Sequence, residues 1–368
     1  MRDAKATTIM TISDPAPPGS IRRIRYNRAP MEPMLAVAAK PQTRERFAIN
    51  HAASAPISNF ADDVRRGLTA TPKFLLPHYF YDALGSALFS AICELPEYYV
   101  TRAEDEILRE RAPEMAAAFG SPVRLVELGS GSARKTRHLI EAILARQDTL
   151  DYIPVDVDAG ILTASSRELL TDYPQLSINA ICGDFREPAS LLRPHLPPGG
   201  ERTIVLFLGS SIGNLDPAES GAMLANLRTA LAPGDALFLG ADLRKSPAIL
   251  EAAYDDPLGV TAAFNLNLLG RINRELGGTF DLASFTHRAF YNETAGRIEM
   301  HLVSREEQRV LIDGYEVAFE KGESIHTENS HKYDDPALRA LAAAGRFAIE
   351  HRWTDSNGYF SDLLMVAT

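Results

Sequence analysis

The sequence predicts an α/β fold built on a doubly wound, Rossmann-like sheet, with a second, smaller α+β domain. Between residues 123 and 243, five short apolar segments alternate with amphipathic helical segments. This alternation is typical of a parallel sheet with helices on both faces. The first apolar segment runs into a glycine-rich turn, Gly129-Ser130-Gly131, at the position where such sheets bind ligands. After about residue 250 the pattern changes to antiparallel strands, which indicates the second domain.

Length, composition and charge restrict the class of protein. The 368 residues are 45% hydrophobic and 23% charged, which is typical of a soluble globular protein of about two domains. The net charge of −10 argues against a nucleic-acid partner, because such proteins need a basic surface. Two cysteines cannot form a disulfide framework, and no apolar run of about 18 residues exists to cross a membrane. We expect a cytoplasmic, monomeric enzyme acting on a small molecule.

The first 46 residues differ in kind from the rest. They hold nine lysines and arginines against four acidic residues, a net charge of +5, so the remainder carries −15. Six prolines and the lack of a periodic apolar pattern predict a disordered leader over 1–46. Two alternatives stay open: an organelle-targeting signal, or an over-long start with Met31 or Met34 as the initiator.

The elements follow in order along the chain. Residues 60–68 (FADDVRRGL) and 102–119 read as helices on either side of an aromatic segment, 78–99. The alternating region gives predicted strands at 123–128, 152–157, 177–182, 203–209 and 236–243, and predicted helices at 134–146, 159–173 and 218–231.

Beyond this region, antiparallel strands are predicted over 285–312 with a turn at 292–296. A helix at 336–344 precedes two strands, 347–355 and 360–368, which flank the turn Ser356-Asn357-Gly358. A doubly wound sheet completed by a terminal hairpin is the architecture of class I methyltransferases that use S-adenosylmethionine.

Three ligands compete for the glycine loop. A phosphate-binding P-loop requires a second glycine where Arg134 stands, although Lys135 and Thr136 fit its pattern. A dinucleotide site requires a third glycine and an acidic residue about 20 positions on, and the first acid is Asp148. S-adenosylmethionine fits better, because it needs acids at the ends of the second and third strands.

Two acids stand at those positions. Asp156 ends the second predicted strand and is expected to hold the ribose hydroxyls. Asp184 follows the third and is expected to receive the adenine amino group, with Phe185 beside the ring. With the glycine loop, they mark the carboxyl ends of three adjacent strands, where α/β sheets bind ligands. Each acid could instead be a helix cap or a turn former.

These residues and the segments around them resemble the family of L-histidine N-alpha-methyltransferases of ergothioneine biosynthesis. The resemblance runs from about Phe60 to the C-terminus and excludes the leader. The matching blocks are GLTATPKFLLPHYFYDALGSALF, LPEYYVTRAE, VELGSGSARKT, PVDVDAG, CGDF, FLGSSIGN, YDDPLGVTAAFN, RIEM and TENSHKY.

The resemblance implies three-fold methylation of the α-amine of L-histidine to hercynine, with S-adenosylmethionine as methyl donor. It implies a cofactor set of Gly129, Lys135, Asp156, Asp184 and Phe185. It implies a substrate set of Tyr98, Gly209, Asn214, Tyr254, Met300, Glu328 and Ser330, and a catalytic set of Asn214, Gly209 and Tyr81.

The chemistry of these side chains fits the roles. Tyr98 and Tyr254 can donate hydrogen bonds to a carboxylate, and the Asn214 side chain and the Gly209 carbonyl can accept from an amine. Glu328 and Ser330, two apart on a strand, share a face and can hold an imidazole N–H, with Tyr81 at the imidazole's other end.

The resemblance also implies the domain boundaries. The expected arrangement is 47–100 as the N-terminal part of the substrate domain, 101–245 as the S-adenosylmethionine-binding domain, 246–335 as an inserted substrate domain, and 336–368 as the helix and hairpin that complete the first sheet.

Departures from the family pattern concentrate in two places. Ala133 stands where many methyltransferases have a third glycine, and Asn329, His331 and Tyr333 differ from the family on the face opposite Glu328. His326, Glu328 and His331 raise the alternative of a metal site, but no further ligands follow at motif spacing, so we expect none.

Two other functions stay open. One is methylation of a different aromatic or imidazole amino acid, or an arrest after one or two methyl groups. The other is a non-catalytic module that binds S-adenosylmethionine.

Overall fold

The computed structural model describes residues 46–51, 59–196 and 200–368. The predicted leader therefore lies outside the described residues, apart from Arg46. In the described part of the chain, no helix combines the length and the apolar character needed to cross a membrane.

The strands are, in chain order, β1 (Phe47–His51), β2 (Lys73–Phe74), β3 (Val123–Leu128), β4 (Leu150–Asp156), β5 (Leu176–Cys182), β6 (Arg202–Phe207), β7 (Ala236–Asp242), β8 (Phe285–Asn292), β9 (Arg297–Ser304), β10 (Gln308–Ile312), β11 (Tyr315–Phe319), β12 (Ser324–His331), β13 (Phe347–Thr354) and β14 (Phe360–Ala367). The helices are α1 (Phe60–Thr69), α2 (Ala83–Cys93), α3 (Tyr99–Phe119), α4 (Thr136–Leu144), α5 (Ala159–Asp172), α6 (Pro188–Leu192), α7 (Pro217–Arg228), α8 (Pro247–Tyr254), α9 (Val260–Leu276) and α10 (Asp335–Ala344).

The large sheet has eight strands in the order β1-β5-β4-β3-β6-β7-β14-β13. The first six are parallel, and β14 runs antiparallel to β7 and to β13. Its central strands are apolar on both faces, and Ile204, Val205 and Leu206 of β6 are all fully buried. The predicted doubly wound fold is confirmed, and all five predicted strands are present.

A second sheet of four strands has the order β2-β12-β9-β8. Helices α8 and α9 join β7 to this sheet along the chain, and Leu268, Leu269 and Ile272 of α9 are fully buried. A separate hairpin is formed by β10 and β11. These elements give the smaller α+β part of the fold that the sequence predicts.

Two strand assignments differ from the sequence prediction. Residues 47–51, expected with the substrate domain, form β1 and pair in parallel with β5 at the edge of the large sheet. The strand predicted over 203–209 ends at Phe207, because Gly209 and Ser210 adopt positive φ angles of 73° and 56°. The chain therefore leaves the sheet after Phe207, and the loop that follows contains Gly209 and Asn214.

Candidate active site

The glycine loop turns sharply at the carboxyl end of β3. Gly129, Gly131 and Ala133 have φ angles of 71°, 50° and 52°, in the left-handed region that favours glycine. The amides of Gly129 and Ser130 both donate to the Val155 carbonyl of β4, over 2.9 and 3.0 Å. Ala133 thus adopts a conformation that favours glycine, at the position where many methyltransferases have a third glycine.

Asp156 anchors this loop from the end of β4. Its Oδ2 accepts from the Gly131 amide at 2.9 Å, and its Oδ1 accepts from the Asp158 amide at 3.1 Å. Burial raises the pKa of Asp156, and the backbone hydrogen bonds oppose that rise. Each carboxylate oxygen has a second lone pair, so Asp156 can still accept hydrogen bonds from a ligand's hydroxyls.

Asp184 and Phe185 follow β5 beside the loop. A Cβ added to Gly129 would lie 3.4 Å from the Phe185 ring, so the ring lies close to the start of the glycine loop. Asp184 already accepts a hydrogen bond from Arg186, with 2.7 Å between Oδ2 and Nε. Burial would raise the pKa of Asp184, but the hydrogen bonds from Arg186 hold it below its usual value. Asp184 is therefore an ionised, partly occupied acceptor.

Lys135 lies at the start of α4, where its ammonium pairs with the buried Glu104 carboxylate. The other oxygen of Glu104 accepts a hydrogen bond from the Gly209 amide at 2.7 Å. Glu104 thus connects a predicted cofactor residue to a predicted substrate residue. Sequence reasoning assigned Glu104 to a surface helix.

One cavity is lined by the loop between β6 and α7, by β9 and β12 of the second sheet, and by helices of the smaller α+β part. It brings together the eight residues predicted for the substrate and the reacting amine. These are Tyr81, Tyr98, Gly209, Asn214, Tyr254, Met300, Glu328 and Ser330. Ile92, Phe89, Ser210, Ser211, Ala253, Thr261 and Phe264 also line it and were not predicted.

Aromatic rings form much of the cavity wall. Tyr98 and Tyr254 meet edge to face with 5.9 Å between ring centroids, and Phe89 contacts Tyr98 and Tyr81 at 6.2 and 5.6 Å. Tyr81 is 40% exposed and lies at the open side. Such a wall suits a cationic ligand, because ring faces attract positive charge. Phe89 belongs to the aromatic segment 78–99.

Glu328 supplies the acidic group of the cavity. It lies opposite Met300 in the β9–β12 pair and is only 9% exposed. Burial raises the pKa of Glu328 to about 7, although the Lys332 ammonium acts in the opposite direction. Among the described residues, no side chain donates a hydrogen bond to its carboxylate, which leaves Glu328 available to a ligand's N–H.

The Gly209–Asn214 loop closes the cavity on the side of the large sheet. A 3-10 turn, Ser211–Asn214, brings Asn214 to the cavity. A Cβ on Gly213 would lie 2.9 Å from the His331 carbonyl oxygen, so the turn packs directly against β12. The backbone of β12 therefore sets the position of Asn214.

The face of β12 opposite Glu328 carries the departures from the family pattern. Asp216 accepts from Asn329 Nδ2 at 3.4 Å and lies 3.3 Å from His331 Nε2, and it caps α7 directly after the Asn214 turn. Tyr333 is buried in the apolar cluster. Asn329 and His331 therefore contact the residue that follows the Asn214 turn by two positions, and none of the three departures lines the cavity.

The predicted alternative metal set does not converge, because Glu328 lines the cavity whereas His331 contacts Asp216 on the other face. His326 instead lies near Glu299 and His301, with possible ligand atoms within 4.8 Å of one another. The Glu299 carboxylate there already accepts from Arg297 Nε at 2.9 Å and Asn292 Nδ2 at 3.0 Å.

Comparison with known proteins identifies the family of this chain. Residues 60–367 match the family described as histidine-specific methyltransferase, SAM-dependent. The chain is 47% identical over 306 residues to the Histidine N-alpha-methyltransferase of Mycolicibacterium smegmatis, covering 83% of this chain and 94% of the relative. It is 48% identical over 301 residues to that of Mycobacterium tuberculosis, covering 81% and 92%.

A more distant relative is the Ergothioneine biosynthesis protein 1 of Schizosaccharomyces pombe, 28% identical over 287 residues, which cover 76% of this chain and 37% of that protein. The resemblance found in the sequence is confirmed, and this chain belongs to the histidine-specific, S-adenosylmethionine-dependent methyltransferase family.

Proposed function

We propose that this protein methylates the α-amine of L-histidine three times to give hercynine, the first step of ergothioneine biosynthesis. The observation that carries the proposal is the cavity, in which one buried carboxylate, Glu328, faces several hydroxyl and amide groups. Relatives of nearly half-identical sequence bear the name of this activity.

The glycine loop fits S-adenosylmethionine. The positive φ angles at Gly129 and Gly131 suit a ligand that approaches the backbone closely, and the Phe185 ring lies beside Gly129. Asp156 would hold the ribose hydroxyls, Asp184 the adenine amino group, and Lys135 the carboxylate end. When bound, S-adenosylmethionine supplies a methyl group on a positively charged sulfur.

The chain's own residues orient the amine. An ammonium has no lone pair, so the reacting amine loses a proton to solvent before each transfer. The nitrogen then bonds to the methyl carbon as the carbon–sulfur bond breaks, and the sulfur keeps the electron pair of that bond. The Gly209 carbonyl and the Asn214 side chain accept the remaining N–H bonds and aim the lone pair. Each methylation replaces one N–H with a methyl group, and the tyrosine rings stabilise the permanent positive charge of the trimethylated product.

Glu328 determines which amino acid the cavity prefers. An ionised Glu328 accepts from an imidazole N–H, and an amino acid without that donor leaves a carboxylate buried without a partner. Tyr98 and Tyr254 receive the substrate's carboxylate, and Tyr81 at the open side reaches the outer end of the imidazole.

The test is a competition among amino acids. Purified protein is incubated with S-adenosylmethionine and an equimolar mixture of the common amino acids, and mass spectrometry records gains of one, two or three methyl groups. We expect a gain of three on histidine alone. A gain on another amino acid, an arrest at one or two, or no gain would contradict the proposal, and Asp156→Ala provides the blank.

A further inference from the structure

Lys332 lies behind the cavity with its side chain fully buried. It follows Ser330 by two residues, and its Nζ donates to Asp242 Oδ2 at 2.7 Å, to Ser330 Oγ at 2.8 Å and to Tyr254 Oη at 3.0 Å. An ammonium has three N–H groups, so all of them are used. Lys332 therefore has no N–H left for a ligand, and its hydrogen bonds reach the cavity through Tyr254 and Ser330.

Lys332 is charged in this position. Burial alone would lower its pKa, but the Asp242 carboxylate raises it above the usual value. Burial also raises the pKa of Tyr254, which stays a neutral phenol with one O–H. The ammonium consequently forces both hydroxyl oxygens to act as acceptors, because it can only donate.

The hydroxyls of Tyr254 and Ser330 together leave one O–H for a ligand. Tyr254 Oη and Ser330 Oγ lie 2.8 Å apart, so one of the two O–H groups donates to the other. The remaining O–H points away from this bond, and both residues line the cavity. The pair offers the ligand one hydrogen at a time, from Tyr254 towards the carboxylate or from Ser330 towards the imidazole.

We propose that Lys332 is a positioning residue that makes Tyr254 and Ser330 a single hydrogen-bond donor directed at the substrate. This rests on the proposed function, because the roles of Tyr254 and Ser330 come from it. Lys332 also opposes the effect of burial on Glu328, so it favours the ionised form that accepts from the imidazole.

The first experiment compares Lys332→Met with Lys245→Met. Lys245 pairs with the other oxygen of Asp242 and donates to Tyr99, so it matches Lys332 in burial and partner but does not contact Tyr254 or Ser330. We expect Lys332→Met to raise KM for histidine about 10- to 100-fold, with a smaller change in kcat. Lys245→Met should stay within about threefold of wild type for KM.

Calorimetric affinity for S-adenosylmethionine reports whether each variant keeps its fold. An unchanged histidine KM in a folded Lys332→Met protein overturns the proposal, and so does an equal effect of Lys245→Met. A wild-type protein without activity on histidine contradicts the proposed function instead, so the two failures are distinguishable.

The second experiment needs no change at Lys332 and applies even if Lys332→Met does not fold. Tyr254→Phe and Ser330→Ala each remove one hydroxyl but leave the other free to donate. The double variant loses the donor altogether, so its increase in histidine KM should exceed the product of the two single increases. Increases that simply multiply would mean two independent hydroxyls and would refute the single-donor arrangement.

Discussion

The Glu104 carboxylate accepts a hydrogen bond from the Gly209 amide, with 2.7 Å between Oε1 and N, although the two residues are 105 positions apart. Its other oxygen pairs with the Lys135 ammonium. Glu104 is fully buried, so both partners depend on it. One carboxylate therefore joins the loop proposed for the cofactor to the loop proposed for the reacting amine.

Two substitutions of Glu104 test its contacts with Lys135 and Gly209 separately. Glu104→Ala leaves the Lys135 charge and the Gly209 amide without a buried partner, and we expect it to lower the free energy of unfolding by about 3 kcal/mol. Glu104→Gln keeps an acceptor for Gly209. We therefore expect Glu104→Gln to keep a near-normal KM for histidine, whereas Glu104→Ala raises it. Urea unfolding and steady-state kinetics measure the two effects, and equal histidine KM values would contradict the role of the Gly209 contact.

Glu104 also illustrates what the sequence did and did not predict. The segment that contains it reads as a charged surface helix, yet Ile107 and Leu108 follow at three and four residues, the spacing of one helix face. That spacing places Glu104 on the buried side with them. Hydrophobic periodicity marks such an inward acid, but its partners come from distant strands and are not visible in a single sequence.

The other predictions also succeeded where the signal is local and failed where it depends on distant residues. Strands β3 to β7 and the terminal hairpin were predicted, because their apolar runs and turn residues are local signals. The short β1 was missed, because its pairing with β5 is set by a strand more than 120 residues away. The cavity residues came from a family resemblance, and Lys332 stood in the same block without a role, because its three acceptors only meet in the folded chain.

Asp156 is expected to be essential for the cofactor. Asp156→Ala removes the proposed ribose contacts and the acceptor for the Gly131 amide, so calorimetry should detect no binding of S-adenosylmethionine. Asp151→Ala is a matched control, because Asp151 lies at the opposite end of the same strand, β4. Retained affinity in Asp156→Ala would contradict the assignment.

Ala133 carries a measurable conformational cost. Its φ of 52° is unfavourable for a residue with a Cβ, and Gly adopts it freely. We expect Ala133→Gly to raise the free energy of unfolding by about 1 kcal/mol. The same change at the exposed Ala340 in α10 should lower it by about 1 kcal/mol. Thermal unfolding of both variants measures the sign of each change in the free energy of unfolding. A destabilised Ala133→Gly protein would mean that packing of the alanine methyl stabilises the fold by more than the conformational cost.

Glu328 is expected to determine the preference for histidine. Glu328→Ala removes the acceptor for the imidazole N–H and enlarges the cavity next to Met300, so kcat/KM for histidine should fall at least 100-fold and that for tryptophan should rise. Glu328→Gln keeps the volume and should lower kcat/KM for histidine without raising that for tryptophan. An unchanged preference in Glu328→Ala would show that another group reads the imidazole.

The titration of Glu328 predicts how stability and binding depend on pH. Burial raises its pKa from 4.5 to about 7, so the folded, ligand-free protein binds this proton more tightly than the unfolded chain does. The stabilisation that comes from this tighter proton binding is present below about pH 4.5 and is lost as the pH rises towards 7. The free energy of unfolding changes by about 3 kcal/mol at most. Glu328→Gln should lack this component of the pH dependence.

Histidine binding should remove the proton from Glu328, because an imidazole N–H binds the ionised carboxylate. At pH 7 about half of the Glu328 groups carry the proton, so binding should release about half a proton more from wild type than from Glu328→Gln. Calorimetry in two buffers with different heats of ionisation measures the difference, and the protons that histidine itself loses cancel between the two proteins. Equal release would mean that Glu328 is already ionised before histidine binds, and that Lys332 outweighs burial at this site.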